Sequence, residues 1–336
     1  MMKRWSVLAA AGLLAVAVAL PAQAQKRQVK MSTIAPGSSM YLVMTTFANL
    51  VNQGQKDFEI TVDATGTATK HMVDVARGSI DMSMTAPVAI AWMKTGTRVY
   101  KKLKGVKELA KKLRIVFWFP AGAYHYTVYE NSGIKTLADL KGKRAYIGPP
   151  SGGQLVTGLA FVKAVTGLDP KKGDFKSVNL NFASALQAFQ DRQIDVYTIA
   201  CLDPCAQLQQ VAATSKIRFL GLPNAADLRK TPVLQKFFKP LGRINGIVKK
   251  GAYGSAQANE ADIYSNGAIL GVTAREGLDN DTVYAMTKLF WSNLEGMRSS
   301  APYMDAVSLD FATQKGNMEF HPGAMKYYKE AGVWKQ

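Results

Sequence analysis

The chain has 336 residues, 48% of them hydrophobic, and carries 42 Lys and Arg against 24 Asp and Glu, a net charge of +18. That length is enough for two domains of ordinary size, and the apolar content supports well-formed cores. The positive charge is scattered in short runs such as Lys101-Lys102-Leu103-Lys104, with no concentrated basic stripe interleaved with aromatics. This argues against nucleic-acid binding and for a solvated surface that also draws in small anions.

Lys3 and Arg4 precede an apolar run from Val7 to Leu20 and then Ala22-Gln23-Ala24, the pattern of a cleaved signal peptide over residues 1–24. An uncleaved anchor is the alternative reading. No later segment approaches the ~18 uninterrupted apolar residues that a membrane-crossing helix needs, and the expected location is the periplasm. Without Lys3 and Arg4 the remaining chain has 40 basic residues against 24 acidic ones, a net charge of +16.

The remaining chain opens on a strand at Val29–Thr33, a small-residue loop through Ser38 and Ser39, and a helix from Met40 to Val51. Ser38 or Ser39 is placed to cap that helix, leaving the other hydroxyl to face a ligand. A second strand, Phe58–Asp63, leads through the hydroxyl-rich turn Ala64–Thr69 into a helix at Lys70–Arg77 that Gly78 ends. A third strand follows at Ser79–Met84. This βαβαβ order predicts a parallel sheet with ligand sites beyond the carboxyl ends of its strands, where Thr33, Thr65 and Thr85 sit.

Lys101–Lys112 reads as a basic surface helix, and two apolar strands follow at Ile115–Phe119 and Ala123–Tyr129. In the second, Tyr124, His125 and Tyr126 cluster. Phenols line many pockets, so the tyrosines are the better ligand candidates, whereas a buried, hydrogen-bonded role is the commoner fate of a histidine.

From Asn131 the pattern restarts. Thr136 and Asp139 form a capping box on a short helix, Arg144–Ile147 is a strand, and Gly148-Pro149-Pro150-Ser151-Gly152-Gly153 delivers the chain into a helix at Leu155–Val165. A glycine-rich loop at a helix N-terminus presents free N–H groups to an anion, although the same sequence also serves an ordinary connection. Ser177–Asn181 is strand-like, Ala183–Gln190 helical, and Ile194–Ala200 a strand containing Asp195. Cys201 and Cys205, the only cysteines, flank Asp203 and either close a small disulfide loop or remain two thiols. Residues 221–262 read as loops and short helices, followed by a strand at Ala268–Val272 and helices at Asp279–Leu294 and 321–333.

Four stretches resemble a known family: SGIKTLADLKGKRAYIG at 132–148, QIDVYTIA at 193–200, VYAMTKLFW at 283–291 and HPGAMKYYKEAG at 321–332. They are similar to the TAXI group, the TRAP-associated extracytoplasmic immunogenic proteins. The resemblance implies a two-lobed periplasmic solute-binding protein of type II-like fold, each lobe a mainly parallel sheet flanked by helices, the lobes joined by a hinge of crossing strands. It also implies a monomer without cofactor that holds a small solute in the cleft and hands it to TRAP permease subunits in the membrane. The loops Ala35–Tyr41 and Pro150–Gly153 depart from the family pattern at one tyrosine and one threonine.

The expected lobes are 25–125 with 268–336, and 126–267. The expected ligand contacts are Thr33, Ser38, Ser39, Tyr41, Thr65, Gly66, Thr85, Tyr126, Ser151, Gly152, Gly153, Gln154 and Asp203, around a small polar, anionic solute such as an organic acid or amino acid. No Arg or Lys is singled out as its partner. A sensor kinase is the alternative recipient of the liganded protein. An exported hydrolase is disfavoured: Ser151 sits in PPSGG rather than G-x-S-x-G, no H-E-x-x-H spacing occurs, and there are three histidines in all, His71, His125 and His321.

Overall fold

The structure is a computed structural model, and residues 26–34, 36 and 38–334 are described. The expected signal peptide, 1–24, lies outside them. Ten strands are present among the described residues: β1 Arg27–Ser32, β2 Phe58–Asp63, β3 Met82–Thr85, β4 Leu113–Tyr129, β5 Arg144–Tyr146, β6 Lys176–Ser177, β7 Val196–Cys201, β8 Ile217–Leu220, β9 Arg243–Val248 and β10 Ile263–Arg275. The helices in chain order are α1 Ser39–Gly54, α2 Ala68–Arg77, α3 Pro87–Thr95, α4 Val106–Lys111, α5 Gly153–Thr166, α6 Phe182–Gln190, α7 Ala206–Ala212, α8 Pro232–Phe238, α9 Asn280–Met297, α10 Leu309–Ala312 and α11 Pro322–Glu330.

The strands follow the order β2-β1-β3-β10-β4-β7-β5-β6, with β9 on β10 and β8 on β4. In lobe one β1 runs parallel to β2 and β3, and in lobe two β5 runs parallel to β6 and β7. Each parallel trio is closed by an antiparallel strand, β10 against β3 and β4 against β7. The two lobes thus repeat one topology, and their sheets are joined because β4 and β10 are long enough to serve both. β4 pairs with β10 from Leu113 to Pro120 and with β7 from Ala123 to Thr127. β10 pairs with β9 up to Ala268 and with β4 from Ile269 onward.

Packing fixes both ends of the crossing strand. Phe117 of β4 stacks on Phe290 of α9 at 5.1 Å and tilts against Phe47 of α1 at 5.6 Å. Nine residues on, Tyr126 stacks on Phe161 of α5 at 5.9 Å. Removing such rings from water contributes about 1.5–3 kcal/mol each, so bending is left to the segment between them. Gly122 in that segment has φ 85, and a Cβ there would lie 1.9 Å from the Cys201 carbonyl oxygen. Only glycine fits this crossing.

Several elements differ from the sequence reading. Ile115–Phe119 and Ala123–Tyr129 are one strand, with Pro120 and Gly122 sitting where β4 changes partners. The basic helix expected at Lys101–Lys112 is confined to Val106–Lys111, since Gly105 turns the chain with φ 72. The irregular stretch 221–262 contains β9, Arg243–Val248, which gains a full ladder from β10. The capping box at Thr136 and Asp139 is present, on a 3₁₀ turn at Leu137–Leu140.

Candidate functional site

A cavity lies where the two lobes meet, with about 80 Å³ open to the centres of water-sized spheres. A single water needs ~10–15 Å³ on that measure, so the space suits a small molecule. Lobe one contributes Ile34, Met40, Thr67, Thr69 and Met84, together with Val88 at the start of α3. Lobe two contributes Gly152, Gly153, Thr157, Phe182 and Arg243, Tyr124 stands beside them on β4 where that strand pairs with β7, and β10 crosses the floor with Ala268, Ile269 and Leu270. The walls are mostly apolar, and the polar groups gather on the lobe-two side.

Arg243 is the charged member of this wall. Its Nη1 donates to the Phe237 carbonyl oxygen at 2.7 Å, and its guanidinium carbon lies 4.4 Å from the centroid of the Phe237 ring. Its Nε is buried and has no hydrogen-bond partner. Burial lowers its pKa from the usual guanidinium value; the Tyr124 phenol works against that shift, Arg98 adds to it, and among the described residues no carboxylate contributes. Arg243 is half-buried, and a guanidinium without a carboxylate partner on a cavity wall is placed to meet an anion. Tyr124 beside it is fully buried, hydrogen-bonds Thr157, and has its phenol pKa pushed up by that burial. The N-terminus of α5 opens on the same side, and its N-cap, Gly152, offers no side chain to the first turn.

The lobes touch around the cavity. Ser39 Oγ accepts from the Leu202 amide at 2.6 Å, Thr69 Oγ1 donates to the Ser151 carbonyl at 3.1 Å, and Gln207 Nε2 donates to the Pro36 carbonyl at 2.6 Å. Gly242, with φ 89, lies so close to Pro87 that a Cβ would stand 2.9 Å from its ring. This is a closed arrangement, in which a solute would be enclosed by both lobes.

The structure sorts the residues expected from sequence. Gly152, Gly153 and Gln154 line the cavity. The Gln154 amide is occupied, however: Nε2 donates to the Ile147 and Thr198 carbonyls at 3.1 and 2.9 Å, and Oε1 accepts from the Ala200 amide at 3.2 Å. Its role is to lock the loop to β7. Ser38 caps α1 by accepting from the Tyr41 amide, and Tyr41 itself stands off the wall. Ser39 and the Ser151 backbone serve closure rather than the cavity surface.

Other expectations miss by one or two positions, because neighbouring residues on a strand or turn face opposite ways. Thr65 bonds the Asp63 carboxylate at 2.8 Å on the exposed side, and Gly66 turns the chain with φ 76, so Thr67 and Thr69 reach the cavity instead. Thr33 and Thr85 are buried behind the wall that Ile34, Met84 and Ala86 form. Tyr126 is fully buried and donates to Asn266 Oδ1 at 2.8 Å, while Tyr124, two positions earlier, lines the cavity.

Asp203 is also structural. Its Oδ1 lies 2.6 Å from His125 Nε2 and its Oδ2 accepts from the Lys249 amide at 2.9 Å. Cys201 and Cys205, on either side, are joined in a disulfide. Sequence reasoning missed Arg243 because it lies in the stretch read as loops, and nothing in RINGIV marks an arginine without a partner.

Residues 31–332, nearly all of the described chain, match the NMT1-like family. Among solved structures the chain is similar to one titled a periplasmic transporter, at 15% identity over 92% of this chain and 94% of that one with a TM-score of 0.55. It is similar to the periplasmic binding protein BugD, at 14% identity over 92% of this chain and 99% of that one with a TM-score of 0.54. A third is the alkanesulfonate-binding protein SsuA from Xanthomonas axonopodis pv. citri bound to MOPS, at 19% identity over 84% of this chain and 78% of that one with a TM-score of 0.51. At such identities the likeness establishes the two-lobed α/β fold of periplasmic solute-binding proteins. The chain belongs to the NMT1-like family.

Proposed function

We propose that the protein is exported through its N-terminal segment to the periplasm, captures a small anionic solute between its lobes, and delivers it as a monomer to a TRAP-type permease, as a member of the TAXI group. Lobe one is 25–125 with 268–336, lobe two is 126–267, and β4 and β10 form the hinge between them. The solute class is an organic acid or amino acid. The observation that carries this reading is Arg243, a residue that lines the inter-lobe cavity and has no carboxylate partner among the described residues.

A carboxylate placed against the Arg243 guanidinium gains a charge-assisted hydrogen bond worth about 1.5–3 kcal/mol net, and the open N-terminus of α5 adds about 0.3–1. Contacts from Thr67 and Thr69 on the facing lobe make binding tighter in the closed form than in the open one, which is the condition for a ligand to drive closure. The sequence features that support the TAXI assignment are the stretches at 132–148 and 321–332.

The test is a thermal-shift screen of the exported protein against organic acids, amino acids and their uncharged analogues, repeated on Arg243→Gln. Acids are expected to raise the melting temperature of the native protein and to lose most of that effect in the variant. Stabilisation by uncharged compounds alone refutes the anion reading.

A further inference from the structure

We infer that the solute is a monoanionic acid with a compact apolar body, rather than a dicarboxylate or a zwitterionic amino acid. This rests on the reading of the inter-lobe cavity as the solute site and narrows what that site admits.

The argument starts from the charges on the wall. Among the lining residues, Arg243 is the one that carries a charge, and neither Asp nor Glu is present. A zwitterion brings an ammonium that needs an anionic or carbonyl partner once water is excluded. The nearest candidate amide, Gln154, has its oxygen committed to the Ala200 backbone. A dicarboxylate brings a second anion, and the lobe-one wall, with Ile34, Met40 and Met84, offers it no cation. Neither extra charge has a counter-charge there, and a buried charge without one is strongly disfavoured.

The apolar end instead rewards a hydrocarbon. Met40 and Met84 are unbranched and adapt their shape to a ligand, and Ala86, Ala89, Ala121 and Ala268 are small enough to leave the volume open. That volume, about 80 Å³, corresponds to roughly five to eight water positions at ~10–15 Å³ each. This suits an acid head and a short branched chain. The head sits between Arg243, Tyr124 and Thr157, and the tail points to the methionines of lobe one.

Thr67 and Thr69 add hydroxyls on the lobe-one side. The Thr69 hydroxyl donates to the Ser151 carbonyl and hydrogen-bonds Thr67. These groups suit a neutral polar substituent near the acid head, such as a keto or hydroxyl oxygen, and supply no charge to a second ionised group.

The experiment uses four probes of matched size: isovalerate, succinate, valine and isovaleramide, each titrated calorimetrically into the native protein, Arg243→Gln and Arg243→Lys. Isovalerate is expected to bind the native protein, at least about tenfold more weakly to Arg243→Gln, with Arg243→Lys between them. Succinate, valine and isovaleramide are each expected to bind the native protein at least about tenfold more weakly than isovalerate. Melting of each unliganded variant checks that it folds, and Arg243→Lys keeps the test open should Arg243→Gln not fold.

Succinate or valine binding as tightly as isovalerate, in an Arg243-dependent manner, overturns the monoanion inference and leaves the anion-capture reading standing. Isovaleramide binding as tightly as isovalerate, with no effect of Arg243→Gln, overturns both. Failure of isovalerate to bind, whatever the other probes do, overturns the inference.

Discussion

His321 offers a test of the structure that needs no ligand. It is the N-cap of α11, fully enclosed, with Nδ1 accepting from the Gly323 amide at 3.2 Å and Nε2 donating to the Leu278 carbonyl at 3.0 Å. Protonation would place a second N–H against the Gly323 amide. The ring is therefore held neutral, its pKa pushed down to about 4 chiefly by burial, with Arg114 and Arg275 adding to the effect against the Leu278 hydrogen bond and Asp279. In the unfolded chain the same ring titrates near ~6.5. Between these two values the unfolded state binds more protons than the folded one, so stability falls as pH drops from about 6.5 and levels off below about 4.

The gap of about 2.5 units at ~1.4 kcal/mol per unit sets an upper figure of roughly 3 kcal/mol for the stability lost. The assay is urea unfolding of the native protein and His321→Asn at about pH 7.5 and about pH 4.5. Asparagine is a good N-cap and keeps an acceptor for Gly323, but it leaves Leu278 without its donor. At the higher pH the variant is expected to be less stable by about 1–3 kcal/mol. At the lower pH that difference should shrink or reverse, because only the native protein pays for the buried imidazole. His71, whose pKa burial also lowers, is present in both proteins and cancels in the comparison. An equal difference at the two pH values refutes the reasoning.

Three further outcomes are expected. Ser39→Ala combined with Thr69→Val removes two hydrogen bonds between the lobes, at about 0.5–1.5 kcal/mol each, and should weaken solute binding roughly 5- to 150-fold while leaving the melting of the unliganded protein nearly unchanged; unaltered affinity in calorimetry would count against these contacts as part of closure. Gly122→Ala should cost more than about 3 kcal/mol, combining left-handed backbone strain with the collision on Cys201, whereas Gly133→Ala, with φ 76 and open space around it, should cost about 1–2; equal denaturation midpoints would show that the crossing at Gly122 is misplaced. Gln154→Leu should lose at least about 2 kcal/mol, since it strands three buried backbone groups, and a variant of native stability that fails only in binding would make Gln154 a solute contact instead.

Much of the architecture was legible because it depends on local pattern. The restart of the βαβ order at Asn131, the Thr136–Asp139 capping box, and the strand-loop-helix at Arg144–Thr166 follow from apolar periodicity, turn residues and caps, all of which act over a few positions. The three lobe-two loop residues Gly152, Gly153 and Gln154 were found for the same reason, as the start of a helix behind a glycine-rich loop. The role of Gln154 was not, because the backbone groups that bind its amide come from Ile147, Thr198 and Ala200.

By itself the sequence determined a two-lobed α/β fold and the small-residue loops beside its cleft, since hydrophobic spacing and glycine placement are properties of neighbouring residues. Only the tertiary structure decided which side chains face that cleft. Tyr124 rather than Tyr126, Thr69 rather than Thr65, and Met84 rather than Thr85 reach the cavity because strand register and turn geometry select alternate residues. Arg243 is the extreme case. What distinguishes it is the absence of a carboxylate around it among the described residues, and that is a property of the packing, which no local run of residues encodes.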